Sequence, residues 1–301
     1  MTEMSPNRYY YKAFGLNILS EFEIPELYSF EFSEPHVEIR YDSVPDKLSD
    51  SEKKGVRFQL NRNEFLLTID DIAKYYVARG NKITIEKQDG ATSQEVRLFL
   101  LSSVFSALLY LRGSVSLHAS TIKKDNKCFI LCGNSGAGKS TLTREFIDQG
   151  YQLLSDDISV LTENIDKIHV QPSFPFIKLW KYSLEHLNLP EAEGKKLRNK
   201  LEKYGFRLQD EYFSESLEVE KVFILMPHNK PEYTSEVLKG IDKFNALKNH
   251  TYRYRFVLDN LRPVHFECMN KLANQAETIR IKRPQAPINT EDLRKQIEAF
   301  L

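Results

Sequence analysis

Residues 133–141 read GNSGAGKST, a run that fits G-x-x-x-x-G-K-[ST] and decides how the rest of the chain is read. Gly133, Gly136 and Gly138 let the backbone turn so that successive N–H groups face one anion. The expected nucleotide-binding set is therefore Gly133, Asn134, Ser135, Gly136, Ala137, Gly138, Lys139, Ser140 and Thr141. Lys139 would reach the β- and γ-phosphates and Ser140 would offer a hydroxyl to Mg²⁺, with the positive end of the following helix adding to the field. The surroundings suit this reading. KCFILCG (127–133) is an apolar strand, KSTLTREFIDQG (139–150) is helical, and YQLLSDDISVL (151–161) is a further strand. Strand, loop, helix and strand make an α/β unit.

The third segment ends in Asp156 and Asp157. If the loop is genuine, one carboxylate holds the metal and the other can face an acceptor hydroxyl and take its proton. Neighbouring residues of a strand point to opposite sides, so the pair shares a site only if the chain turns there. The bland alternative is a polar turn with a capping aspartate. His118, in SVSLHAS (114–120), belongs to a strand expected beside the loop strand. Taken alone it reads as a satisfied core or edge histidine.

LHAS, then GxSGxGKS, then SDD, at these intervals, resembles the catalytic domain of the HPr kinase/phosphorylase family, bacterial protein-serine kinases built on the P-loop. The resemblance spans about residues 94–300 and is strongest over 113–160. It implies ATP and Mg²⁺, with Asp156 as general base toward a serine hydroxyl, Asp157 as magnesium ligand beside Ser140, and His118 near the phosphate in transfer. That family carries a glycine-bearing segment of the form LEIRGLGI after the acids, associated with the reverse reaction. Residues 174–184 here read FPFIKLWKYSL, without glycine, and Lys178 is the candidate for the arginine's place. The opening YKAFGLNILSEFEIPEL and the tail around TYRYRF and IRIKRP are similar to stand-alone HPr-kinase-like proteins found with peptide-tailoring enzymes, including lasso-peptide kinases. That similarity implies a peptide partner phosphorylated on its C-terminal serine. HPr kinases are hexamers, so a homo-oligomer is implied by resemblance alone.

Around this centre the expected architecture is α/β: a P-loop, HPr-kinase-like catalytic domain over 93–301 behind a smaller β-rich N-terminal domain over 1–92. HVEIRYD, EFLLTID, KYYVARG and KITIEKQDG have the branched and aromatic enrichment of short strands. DSVPDKLSDSEKKG (42–55) is an exposed loop by composition. SQEVRLFLLSSVFSALLYLRG (93–113) carries Val96, Phe99, Leu100, Val104 and Leu108 at helical intervals, with Ser93 expected as its cap.

Lysine plus arginine equals aspartate plus glutamate at 42 each, so no global basic field argues for nucleic acid. KKLRNKLEKYGFR (195–207) is read as a solvated helix face, and Ser235–Asn274 as a helical tail. Arg253, with Arg255 beside it, is the expected extra cation on the γ-phosphate; Lys203 and Arg207 are candidates for the acceptor side. Trp180 is expected in the core. Cys128, Cys132 and Cys268 lack metal spacing and read as structural thiols of a reducing compartment. With no signal-peptide pattern and no run of 18 apolar residues, the expectation is a cytoplasmic protein with no membrane partner.

Overall fold

The computed structural model describes residues 7–198, 201–285 and 289–301. The chain divides into two compact units, one running to Ser114 and taking in Arg253–Arg262, the other formed by Val115–Tyr252 and Pro263–Leu301.

The first unit is built on a nine-stranded sheet. Tyr9–Ala13 and Leu16–Ser20 form a hairpin whose turn, Phe14-Gly15, has φ of 56° and 74°, the primed geometry that matches the strands' twist. Ala73–Ala78 buries Ala73, Tyr75 and Val77 on one face, as period-2 patterning requires. The helix expected from residue 93 is present, Ser93–Phe99 continuing through a π-helical Leu100–Val104 into Phe105–Leu111. Its cap is Thr92, one residue earlier than read, in a reciprocal capping box with Glu95. The helix passes the length and apolarity test for a bilayer span, yet most of it is buried inside the protein.

That helix corrects the expected boundary at 92/93. It belongs to the first unit, where Tyr75 donates to the Val96 carbonyl at 2.9 Å and Phe105 meets Phe14 at 5.7 Å between ring centroids. A sheet apolar on one face needs a cover, and this apolar helix supplies it. Phe256 returns to the same core, 5.0 Å from Phe58 and 5.2 Å from Phe65.

In the second unit the loop strand Lys127–Gly133 runs parallel to Leu217–His228, which in turn runs parallel to Glu277–Pro284. On its other side lies Ala119–Lys124, antiparallel to it, and beyond that Gln152–Ser155, antiparallel again. The acid-bearing strand thus has an antiparallel strand as its immediate neighbour. Two antiparallel steps restore direction, so Gly133 and Ser155 still finish at the same edge. The strand between them begins at that edge, one residue after His118. Lys139–Asp148 packs across this sheet through Leu142 and Phe146, and Thr290–Glu298 covers the same layer.

A separate three-stranded antiparallel sheet is made by Phe176–Trp180, Leu201–Arg207 and Lys195–Arg198. The segment 195–207, expected as a helix face, is thus strand at both described ends. Its alternation is the reason: Tyr204 and Phe206 join Ile177 and Leu179 in one apolar cluster, while Lys203 pairs with Trp180 in the opposite register. The region expected as a helical tail holds the strand Thr234–Val237 and the helices Gly240–Asn249 and Arg262–Gln275.

Candidate active site

The loop adopts the conformation its glycines permit. Gly136 and Gly138 have φ of 83° and 90°, and a Cβ on Gly133 would stand 2.8 Å from Ala137 Cβ and 3.0 Å from the Leu225 carbonyl oxygen. Only glycine fits that last position. Arg283, 1% exposed, braces the loop from behind. Its Nε and Nη2 donate to the Ala137 carbonyl at 3.1 and 2.9 Å, and Nη2 also reaches Gly136 O at 3.4 Å.

Lys139 lies back on the loop, its ammonium donating to Gly133 O at 2.7 Å and lying 3.2 Å from His118 Nε2. Burial pulls its pKa below the ordinary lysine value, with Asp156 opposing. An ammonium only donates, so Nε2 of His118 accepts and the ring proton sits on Nδ1. Nδ1 faces Asp157, 3.1 Å from its carbonyl oxygen and 3.3 Å from Oδ1.

The two carboxylates part company at the turn anticipated for them: Asp157 has φ of 72°. Asp156 is buried and accepts from Ser120 Oγ at 2.6 Å, from Ser140 Oγ at 3.2 Å and from the Lys178 N–H at 3.4 Å. Asp157 looks into the open space, paired with Lys178 Nζ at 3.3 Å. Burial alone would raise its pKa, but Lys178, His118 and Lys203 outweigh it and hold the group well below the carboxylate range. The sequence reading joined Ser140 to Asp157; the hydroxyl in fact faces Asp156, because the left-handed residue swings the second acid away from the loop and toward His118.

These groups line a cavity of ≈ 520 Å³ whose opposite wall is the three-stranded sheet. Lys178, Trp180 and Lys203 all face it. Trp180, expected in the core, is 44% exposed, with the Lys203 ammonium 5.3 Å from its ring centroid. Arg253 does not belong with these residues: it falls in the first unit, 5.8 Å from the Phe256 ring, and does not line the cavity. Its place in a turn after the helix Gly240–Asn249 carries it into the other core. Arg255 likewise lies over Phe58, at 5.2 Å, and Arg207 is exposed and outside the cavity lining.

Two contributors escaped the sequence reading. Ser120, within LHAS, braces Asp156 two residues after His118. Arg283 was signalled by ETIRIKRP, where Ile279, Ile281 and Arg283 share one strand face and the charge occupies a core register. Among the described residues no cluster of three or more histidines, cysteines, aspartates or glutamates forms a metal cage. The thiols are structural: all three cysteines are free, and burial pushes Cys132 and Cys268 up to about 12.

No family model matches the chain, and no curated protein matches it. Solved structures similar to it include the Hpr(Ser) kinase/phosphatase from Coxiella burnetii, at 15% identity over 61% of this chain and 91% of that one, with a TM-score of 0.31. A likeness of that size bears on neither substrate nor mechanism.

Proposed function

We propose that this protein is an ATP-dependent kinase that transfers the γ-phosphoryl group to a serine hydroxyl of a peptide or protein. The carrying observation is the adjacency of two unlike acidic environments beside one phosphate loop. Asp156 is hydrogen-bonded to the loop serine, and Asp157 is cavity-facing between His118 and Lys178. A loop alone would suit any nucleotide-driven switch; a second carboxylate aimed into the cavity supplies what an acceptor hydroxyl needs.

Ser140 and Asp156 fit a magnesium ion, since Mg²⁺ usually takes one or two protein oxygens and completes its shell with phosphates and water. Bound there, it would neutralise phosphate charge. We assign Asp156 to this end and Asp157 to the base, exchanging the roles suggested by resemblance. Asp157 accepts the seryl proton as the hydroxyl oxygen bonds to the γ-phosphorus. The bond from that phosphorus to the β,γ-bridging oxygen breaks, and ADP departs with the electron pair. Its low pKa is tolerable, because a loose transition state asks more for position than for basicity. Lys139 leaves its carbonyl rest to meet the γ-phosphate, and Lys178 supplies the further cation sought in Arg253.

The acceptor that the resemblance suggests is the C-terminal serine of a lasso-type precursor peptide, with an HPr-type carrier protein or a small hydroxyl compound as the alternatives. The test is incubation with γ-labelled ATP and serine peptides beside a water-only control. Label on peptide supports the kinase; label released only as inorganic phosphate overturns it in favour of an ATP-driven switch.

A further inference from the structure

The cavity wall opposite the loop holds a cation that phosphate binding does not use. Phe176–Trp180 and Leu201–Arg207 pair in antiparallel register, Trp180 against Lys203. Their alternation sends Ile177, Leu179, Tyr204 and Phe206 into the core and leaves Lys178, Trp180 and Lys203 facing the cavity. Lys178 is engaged with Asp157. The other acids nearby are also taken: Glu202 pairs with Lys196, and Glu191 with Lys181 at 2.9 Å. Among the described residues, no carboxylate makes an ion pair with Lys203, whose ammonium rests over the Trp180 ring.

A half-buried ammonium lacking a contacting anion is costly to maintain. Burial accordingly depresses the Lys203 pKa, and only the more distant fields of Asp157 and Asp156 oppose it. An incoming anion would remove that cost. The triphosphate is already served by the loop amides, Lys139, Lys178 and the metal end. Lys203 lies on the strand beyond Lys178, near enough to Asp157 for its field to depress that acid. On the kinase reading, this is the acceptor's side of the cavity.

We propose that Lys203 and Trp180 form an acceptor subsite for a carboxylate held close to the hydroxyl that is phosphorylated. The proposal rests on the kinase reading and deepens it. The carboxylate can come from the terminal carboxyl of a chain ending in serine or from an acidic side chain next to an internal serine. In either case Lys203 grips the carboxylate while Asp157 faces the hydroxyl, and the indole forms the floor. An internal serine with neutral neighbours offers only a peptide carbonyl, which leaves the ammonium uncompensated.

Trp180 is the chain's sole tryptophan, so its emission reports occupancy of this wall. Four synthetic peptides of one core sequence distinguish the sources: serine-terminated as free acid, the same as amide, an internal serine followed by glutamate, and an internal serine followed by glutamine. Binding is read from Trp180 fluorescence with a non-hydrolysable ATP analogue present, and phosphorylation is read as KM and kcat. A charge-assisted contact predicts at least about tenfold tighter binding of one carboxylate-bearing peptide over its neutral twin. That ratio should fall close to one in Lys203→Met, with the loss in KM more than in kcat. Preference within the first pair identifies the chain terminus, and preference within the second identifies an acidic neighbour. Phosphorylation of all four with equal KM overturns the subsite while leaving the kinase reading standing. A wild-type preference that persists in Lys203→Met also overturns it. If no peptide is labelled while ATP is hydrolysed, the kinase reading fails and the subsite falls with it.

Discussion

Asparagine at position 156 and asparagine at position 157 should produce opposite phenotypes, although the substitutions are chemically identical and adjacent. Asp156 is surrounded by donors: two hydroxyls, from Ser120 and Ser140, and the fixed N–H of Lys178. The hydroxyls can rotate to suit an amide, but a backbone N–H cannot. Asp156→Asn therefore either sets N–H against N–H or gives up a charge-assisted bond, a loss of about 1.5–3 kcal/mol of stability. It also removes the carboxylate beside Ser140. The magnesium concentration for half-maximal ATP binding should then rise at least about 10–100-fold, the range seen when even outer partners of a metal are deleted. Asp157→Asn touches neither Ser140 nor the loop. It should leave ATP affinity and the magnesium requirement near wild type while lowering transfer about 10²–10⁴-fold, the usual worth of a positioned base. Calorimetric ATP titrations over a magnesium series, paired with a peptide-labelling assay on the same preparations, separate the two. If Asp157→Asn moves the magnesium requirement and Asp156→Asn does not, the carboxylates must be exchanged, and the hydrogen bond between Ser140 and Asp156 is not the metal end.

Lys139→Ala should abolish peptide labelling, and transfer retained in that variant would refute the loop assignment. Arg283→Met should cost at least about 1–3 kcal/mol in urea unfolding by orphaning the Ala137 carbonyl and should weaken ATP binding; a folded variant with unchanged ATP affinity would reduce the arginine to a packing residue. Burial, with Lys139 and His118 adding, pushes the His250 imidazole down to about 4, so the unfolded chain protonates first, near pH 6.5. The stability it contributes is complete above about pH 6.5 and lost as pH falls toward 4, on the order of 3 kcal/mol. His250→Gln should flatten that part of the pH profile, and a profile identical to wild type would place the titration elsewhere.

The loop, its helix and the following strand were legible because each residue type there answers a local requirement: positive φ at Gly136 and Gly138, an apolar strand before, a helix after. The strands over 64–87 were legible for the same reason, since alternation is local. What failed is what pairing decides. KKLRNKLEKYGFR has the charge density of an exposed helix, and only the partner strand Phe176–Trp180 reveals that Tyr204 and Phe206 are its buried register. That one misreading also hid the place of Trp180 beside Lys203, already a candidate for the acceptor side, because the two are opposite one another only in the folded sheet. Arg253 was expected at the γ-phosphate for its charge alone, and spacing could not show that Phe256 anchors the segment in the first unit's core. The pairing of Ser140 with Asp156 could not come from spacing, because a single left-handed residue at 157 decides which acid meets the loop.

The site assembles despite an antiparallel strand where a parallel neighbour would be expected, and that substitution has a chemical consequence. A parallel neighbour would bring only strand ends to the loop's edge. Ala119–Lys124 instead begins there, so the residue just before it, His118, arrives between the loop lysine and the second acid. In the resting geometry Lys139 donates to Gly133 O and Nε2 of His118, and His118 Nδ1 faces Asp157. The lysine cannot meet a phosphate without leaving Nε2, and once it leaves, that nitrogen has lost its donor. On the kinase reading, a phosphate that drew Lys139 off Nε2 would disturb the same ring that faces Asp157, a link set by the direction of a single strand.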